Sequence, residues 1–157
     1  MIITANIHTG RAELMADMPK ITVSQMKSNH QMYPHMATAY IFPHICPHCY
    51  ALQRVDVATE EKARDFLKFT GGYHHLDLMS WLTCQLKEAG IRRIITAHNR
   101  CTAGISIDCI SRPLYRKQEF QGFYSHYLSV HQDQPDGRFL IVTRIVDESE
   151  EKEEDFF

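Results

Sequence analysis

No apolar run in this chain approaches the roughly 20 residues that a helix needs to cross a bilayer. The opening residues, Met1-Ile2-Ile3-Thr4-Ala5-Asn6, lack the basic start of a secretory signal. Neither sign of charge dominates: 17 Lys and Arg against 19 Asp and Glu leave a formal charge of −2. That is too little to draw the chain to nucleic acid or an anionic membrane. There is no internal repeat, and no second Cys-x-x-Cys accompanies the one at Cys46 and Cys49. Together these absences predict a cytoplasmic protein with no nucleic-acid or membrane partner. The five cysteines are odd in number and unevenly spaced. Without an export signal they predict reduced thiols rather than a disulfide framework.

What is present is a chain of 157 residues, 44% hydrophobic and 23% charged, enough for one globular domain with a real core. The expected domain is 1–146. The remaining segment, 147–157, has seven acids against one lysine and reads as a solvated tail. Ile2 to Ile7 has strand character and ends at His8-Thr9-Gly10. Arg11 to Asn29 is helical in pattern, with Pro19 placed near the first turn of its main helix. Ala37 to Phe42 is a strand candidate that runs into a loop. Thr59 is the expected cap of a helix over Glu60 to Lys68, and Gly71-Gly72 breaks the chain after it. Asp77 to Ala89 carries Leu78, Trp81, Leu82, Gln85 and Leu86 at helical spacing, with Gly90 as the stop and Ile91 to Ala97 as the next strand. Phe139 to Val146 is the expected last strand. Helix, glycine and strand in that order predict a layered α/β domain.

Chemistry concentrates in Pro43-His44-Ile45-Cys46-Pro47-His48-Cys49-Tyr50, which holds two thiols and two imidazoles within eight residues. Cys46-x-x-Cys49 is half of a structural zinc site, which needs four ligands. His44, His48, Cys101, Cys109 and the His98–Cys101 stretch are the candidates to complete it. A redox pair is a second reading, and two packed thiols in a proline-stiffened loop a third. His8, following a strand, could stand at the carboxyl edge of a sheet, where α/β proteins bind ligands. Cys101 could be a nucleophile or a packed thiol. His30, His35, His74 and His75 lie in polar or turn-like surroundings and read as surface or structural histidines.

Taken in order, these motifs resemble the multicopper polyphenol oxidase (laccase-domain, YfiH-like) family. Ile7-His8-Thr9-Gly10-Arg11 is similar to that family's His-Ala-Gly-Trp-Arg-Gly motif. Ile41 to Leu52 resembles its Ile-Gly-Pro…Cys-Tyr-Glu-Val segment. Leu76-Asp77-Leu78, Gln85-Leu86, Gly90-Ile91 and Cys101-Thr102 follow in the family's order. Phe123-Tyr124-Ser125-His126-Tyr127-Leu128 and Gly137-Arg138-Phe139 resemble its last landmarks. The motif tryptophan is missing, and Tyr127-Leu128 stands where the family has paired arginines.

The resemblance implies a layered αβα sandwich corresponding to the C-terminal part of the laccase-domain fold. It also implies zinc-dependent phosphorolysis or hydrolysis of a purine nucleoside. The family's metal site uses two histidines and a cysteine, and His8 matches one of those histidines. The other two ligands belong to a family N-terminal half that precedes the motif. The catalytic expectation therefore rests on His8 and Cys101, with zinc on His8. A homo-oligomer, or a hetero-partner carrying the missing half, is expected to complete the site. The alternatives are a degenerate binding or assembly module, or a local metal site built from Cys46, Cys49, His44 and His48.

Overall fold

The computed structural model describes residues 3–96, 101–102 and 108–109. The expected strand at Phe139 to Val146, the acidic tail, His98 and the motifs around Phe123 and Gly137 lie outside the described residues.

The first two helices are joined by a two-residue turn, Ala16 and Asp17. Helix α1, Arg11–Met15, opens after Gly10, whose backbone N–H donates to Glu13 Oε2 at 2.8 Å. Helix α2, Met18–His30, carries Pro19 in its first turn, where a missing N–H leaves no intrahelical bond unmade. Asp17 sits between them in the left-handed region at φ 54° and takes an ion pair from Lys62. At the far end Gln31, φ 55°, closes α2 in the same conformation. A 3-10 turn, Pro34–Met36, leads into strand β1, Thr38–Ile41.

The next segment departs from expectation in a way the chemistry explains. After the short strand β2, Ala51–Leu52, helix α3 spans Val57–Lys62 and is capped by Asp56 rather than Thr59. The Asp56 carboxylate accepts from the Thr59 N–H at 2.8 Å and from the Thr59 hydroxyl at 2.9 Å. The two carboxylate oxygens accept from both Thr59 donors at once, so Asp56 takes the cap and Thr59 becomes a buried third-position residue. The helix stops at Lys62, and Leu67–Thr70 form strand β3 instead of its last turn. Gly71 and Gly72, at φ 59° and 83°, are the two-residue turn of a hairpin joining β3 to β4, Tyr73–Leu76. Positive φ at both central positions matches the right-handed twist of the flanking strands, so the glycines connect rather than break.

Helix α4, Leu78–Glu88, follows its sequence signals closely. Asp77 caps it, accepting from the Ser80 N–H at 2.9 Å, and Gly90 ends it at φ 95°. A side chain at Gly90 would be strained by that φ and would bring Cβ to 3.2 Å from Pro34 Cβ. Strand β5, Arg93–Thr96, then pairs in parallel with β1, Thr38 opposite Arg93 and Ile41 opposite Thr96. The other sheet is antiparallel in the order β2-β4-β3. The class is α/β.

Two apolar clusters hold these pieces together. Val23, Ile41, Leu86 and Ile91 join α2 and α4 to the parallel pair. Leu14, Ala63, Leu76 and Trp81 join α1, α4 and the antiparallel sheet, with Phe66 stacked on Trp81 at 6.1 Å between ring centroids. Burying a side chain of this size contributes about 1.5–3 kcal/mol. Gln85 lies buried between them and donates from Nε2 to the Leu14 carbonyl at 2.8 Å, tying α4 to α1. Among the described residues no helix is long and apolar enough to cross a membrane.

Candidate metal centre

The third cluster of buried residues consists of thiols alone: Cys46, Cys49, Cys101 and Cys109, with Ile45 packed against them. The first two come from the loop that follows β1. The Cys46 carbonyl accepts from the N–H groups of Cys49 and Tyr50, both at 3.0 Å, which folds residues 46–50 into a tight turn. That turn brings two thiols separated by two residues to one side. The chain leaves as β2, which pairs with β4, Ala51 opposite His75. From β4, His75 Nδ1 lies 3.1 Å from the Pro47 carbonyl at the tip of the turn.

Cys101 arrives from the other sheet. It pairs with His44 in a parallel bridge, the same sense as β1 and β5, and the Thr102 N–H donates to the His44 carbonyl at 2.8 Å. The Cys46 N–H donates to Cys101 Sγ at 3.3 Å. Cys109 supplies the fourth thiol. All four Sγ atoms lie within 4.8 Å of one another, and Cys46, Cys49 and Cys101 have no exposed surface. All are thiols rather than half-cystines.

This donor set can hold a metal ion. Zinc–sulfur bonds of about 2.3 Å place the corners of a tetrahedron roughly 3.8 Å apart, so the thiols need draw in by no more than about 1 Å. The amide donating to Cys101 Sγ would support a thiolate there. The Cys46 thiol is pushed up to about 12, chiefly by its hydrogen bond with Cys101, opposed by Cys49 and reinforced by desolvation. Four thiols this close and this dry cannot ionise together unless a cation compensates them.

The structure therefore brings together Cys46, Cys49, Cys101 and Cys109, and leaves the candidate histidines outside. His48 is exposed on the turn, and His44 takes part through its backbone. His8 is exposed in a run, residues 3–10, that forms no strand. The sheet edge expected to present His8 is thus not formed by the described part of this segment: Ile3 to Ile7 has no ladder partner among the described residues, and a strand requires one. Cys101 is wholly buried in the thiol group, a setting in which a cysteine is a ligand or a packing residue rather than an accessible nucleophile. His75 is the participant that sequence patterning missed, since its contact depends on strand pairing 28 residues away from the turn.

The family model described as multi-copper polyphenol oxidoreductase laccase matches residues 2–140. Among solved structures, YlmD from Geobacillus stearothermophilus is similar, with 22% sequence identity and a TM-score of 0.49. The match covers 69% of this chain and 40% of YlmD, so the chain spans less than half of that protein's length. No curated protein matches the chain.

Proposed function

The chain belongs to the multi-copper polyphenol oxidoreductase laccase family, and on that premise we propose that it is a laccase-domain protein built around a structural zinc ion. The observation that carries this reading is the buried group of Cys46, Cys49, Cys101 and Cys109. Four thiols within 4.8 Å of one another are a donor set that suits zinc, whereas the nitrogen and oxygen donors preferred by Cu(II) are missing from the group. Copper as Cu(II) therefore does not fit these four residues. A site with all four positions filled by protein leaves no place for water or substrate, so its ion would contribute folding energy, not catalysis.

A second reading concerns the family's chemistry, zinc-dependent phosphorolysis or hydrolysis of a purine nucleoside. What favours it is the family match, which includes His8, together with that imidazole's exposure. One histidine cannot hold a catalytic metal alone. Under this reading, a second copy or a hetero-partner supplies the other ligands against His8, and the cysteine centre stays in the background as scaffold.

Cobalt(II) titration of the reduced protein tests the first reading. The structural-zinc reading predicts tetrahedral thiolate-to-cobalt charge transfer that saturates at one ion per chain and weakens in Cys109→Ser. An octahedral cobalt spectrum would contradict it. Incubating the protein with inosine or adenosine and phosphate tests the second reading. Base release that disappears in His8→Ala, with the cobalt spectrum intact, is its expected result; no release by the protein at any concentration removes the form in which a second copy completes the site.

A further inference from the structure

We propose that His75 is a positioning residue of the metal centre, holding the Cys46–Cys49 turn in its ligating shape from the middle strand of the antiparallel sheet. This inference rests on the zinc reading above and extends it to a residue that touches no metal.

The geometry assigns the proton. A backbone carbonyl can only accept, so the 3.1 Å contact between His75 Nδ1 and the Pro47 oxygen requires Nδ1 to carry hydrogen. Pro47 is one of the two residues between the paired cysteines, so the bond fixes the tip of the turn rather than either ligand. His75 itself is set firmly: β4 is the central strand, and His75 pairs with Ala51 on one side and Lys68 on the other. Alternation along β4 sends the buried Leu76 into the apolar core and His75 to the opposite face. Tyr50, directly after Cys49, is stitched to the same strand through its carbonyl, which accepts from the Leu76 N–H at 3.4 Å. The turn is thus held at its tip and at its exit by adjacent residues of one strand.

Without the imidazole, residues 46–49 keep their backbone hydrogen bonds but lose the contact that orients the turn toward Cys101 and Cys109. Ligands would then have to be ordered when the metal binds. Loss of an outer-shell partner bonded directly to a ligand typically weakens metal binding about 10–100-fold, and that range sets the scale for a partner bonded to the turn between two ligands. Zinc held by this centre is accordingly coupled to the β3–β4 hairpin, a dependence that neither Cys-x-x-Cys spacing nor the four ligands alone would produce.

The test is zinc affinity, measured by competition with a chromophoric chelator, for the full chain and three variants. Asn at this position places its amide nitrogen where His75 Nδ1 stands, the same number of bonds from Cα, so His75→Asn is expected to bind within about threefold of the parent. Asp has the same shape but only accepts, and His75→Asp is expected to lose about 10–100-fold, as is His75→Ala. The Asn and Asp variants decide the matter even if His75→Ala fails to fold. Equal affinities for Asn and Asp, or parental affinity in His75→Ala, would overturn the proposal. A parent protein that binds no zinc would take the zinc reading down first, and the proposal with it.

Discussion

Removing metal from the cysteine centre should destabilise the fold by an amount that can be worked out from the chain itself. Cys46 and Cys101 are 55 residues apart, and a metal held by both closes that loop much as a covalent link would. Treated as a cross-link, a loop of that length contributes about 4 kcal/mol by restricting the unfolded chain. The same figure follows from mass action for a ligand present at about 1,000 times its dissociation constant. For a chain of this size each kcal/mol moves Tm by roughly 2–4 °C, so a strong chelator should lower Tm by roughly 8–16 °C. The assay is a thermal melt followed by circular dichroism, under reducing conditions, with and without chelator. Cys109→Ser should lose most of the metal-dependent increment, and Cys84→Ser, whose thiol lies outside the group, should keep it. A Tm that does not move on chelation, or one that moves equally in Cys109→Ser, would refute the reasoning.

Three further outcomes probe the scaffold. Trp81→Ala removes a buried ring stacked on Phe66 and should cost about 3–5 kcal/mol, read from the urea midpoint at unchanged slope. Gln31→Gly relieves an exposed residue of its left-handed backbone and should stabilise the protein by about 0.5–1 kcal/mol, seen as a higher Tm; a lower Tm would contradict that reading of the helix end. Asp17 has its carboxyl held below the ordinary value of 3.8, first by its hydrogen bond with Lys62. Its folded-state value is depressed, so its contribution is complete above pH 3.8 and lost as pH falls through the lower folded value. The stability difference between Asp17→Asn and the parent should therefore narrow as pH is lowered from 3.8 through that folded value. A gap that widens toward acid would reverse the sign.

What could be read from the sequence was local. Helix α4 announced itself through the spacing of Trp81, Gln85 and Leu86, a capping Asp77 and a terminating Gly90, all within 14 residues of one another. Pro19 likewise marked the start of α2, because its missing N–H is tolerated only there. The same kind of signal misled at Thr59, where Asp56 three residues earlier was the better acceptor. At Gly71-Gly72 it suggested an interruption where paired positive φ angles make a hairpin. The first run of apolar residues lacked, among the described residues, the one thing a strand cannot supply for itself, a neighbour. The cysteine group was half legible. Cys46 and Cys49 declared a pair, and Cys101 and Cys109 stood among several candidates to complete it. Choosing between those thiols and His44 or His48 depended on the parallel bridge that carries Cys101 to His44, a contact between segments far apart in sequence. His75 was illegible for the same reason.

Elemental analysis of protein purified under reducing conditions, without added metal, tests the cysteine centre most directly. One zinc per chain is predicted in the parent, with loss of that zinc in Cys46→Ser and retention in His8→Ala. A protein that carries no zinc and takes up none when it is supplied would contradict a metal centre at Cys46, Cys49, Cys101 and Cys109.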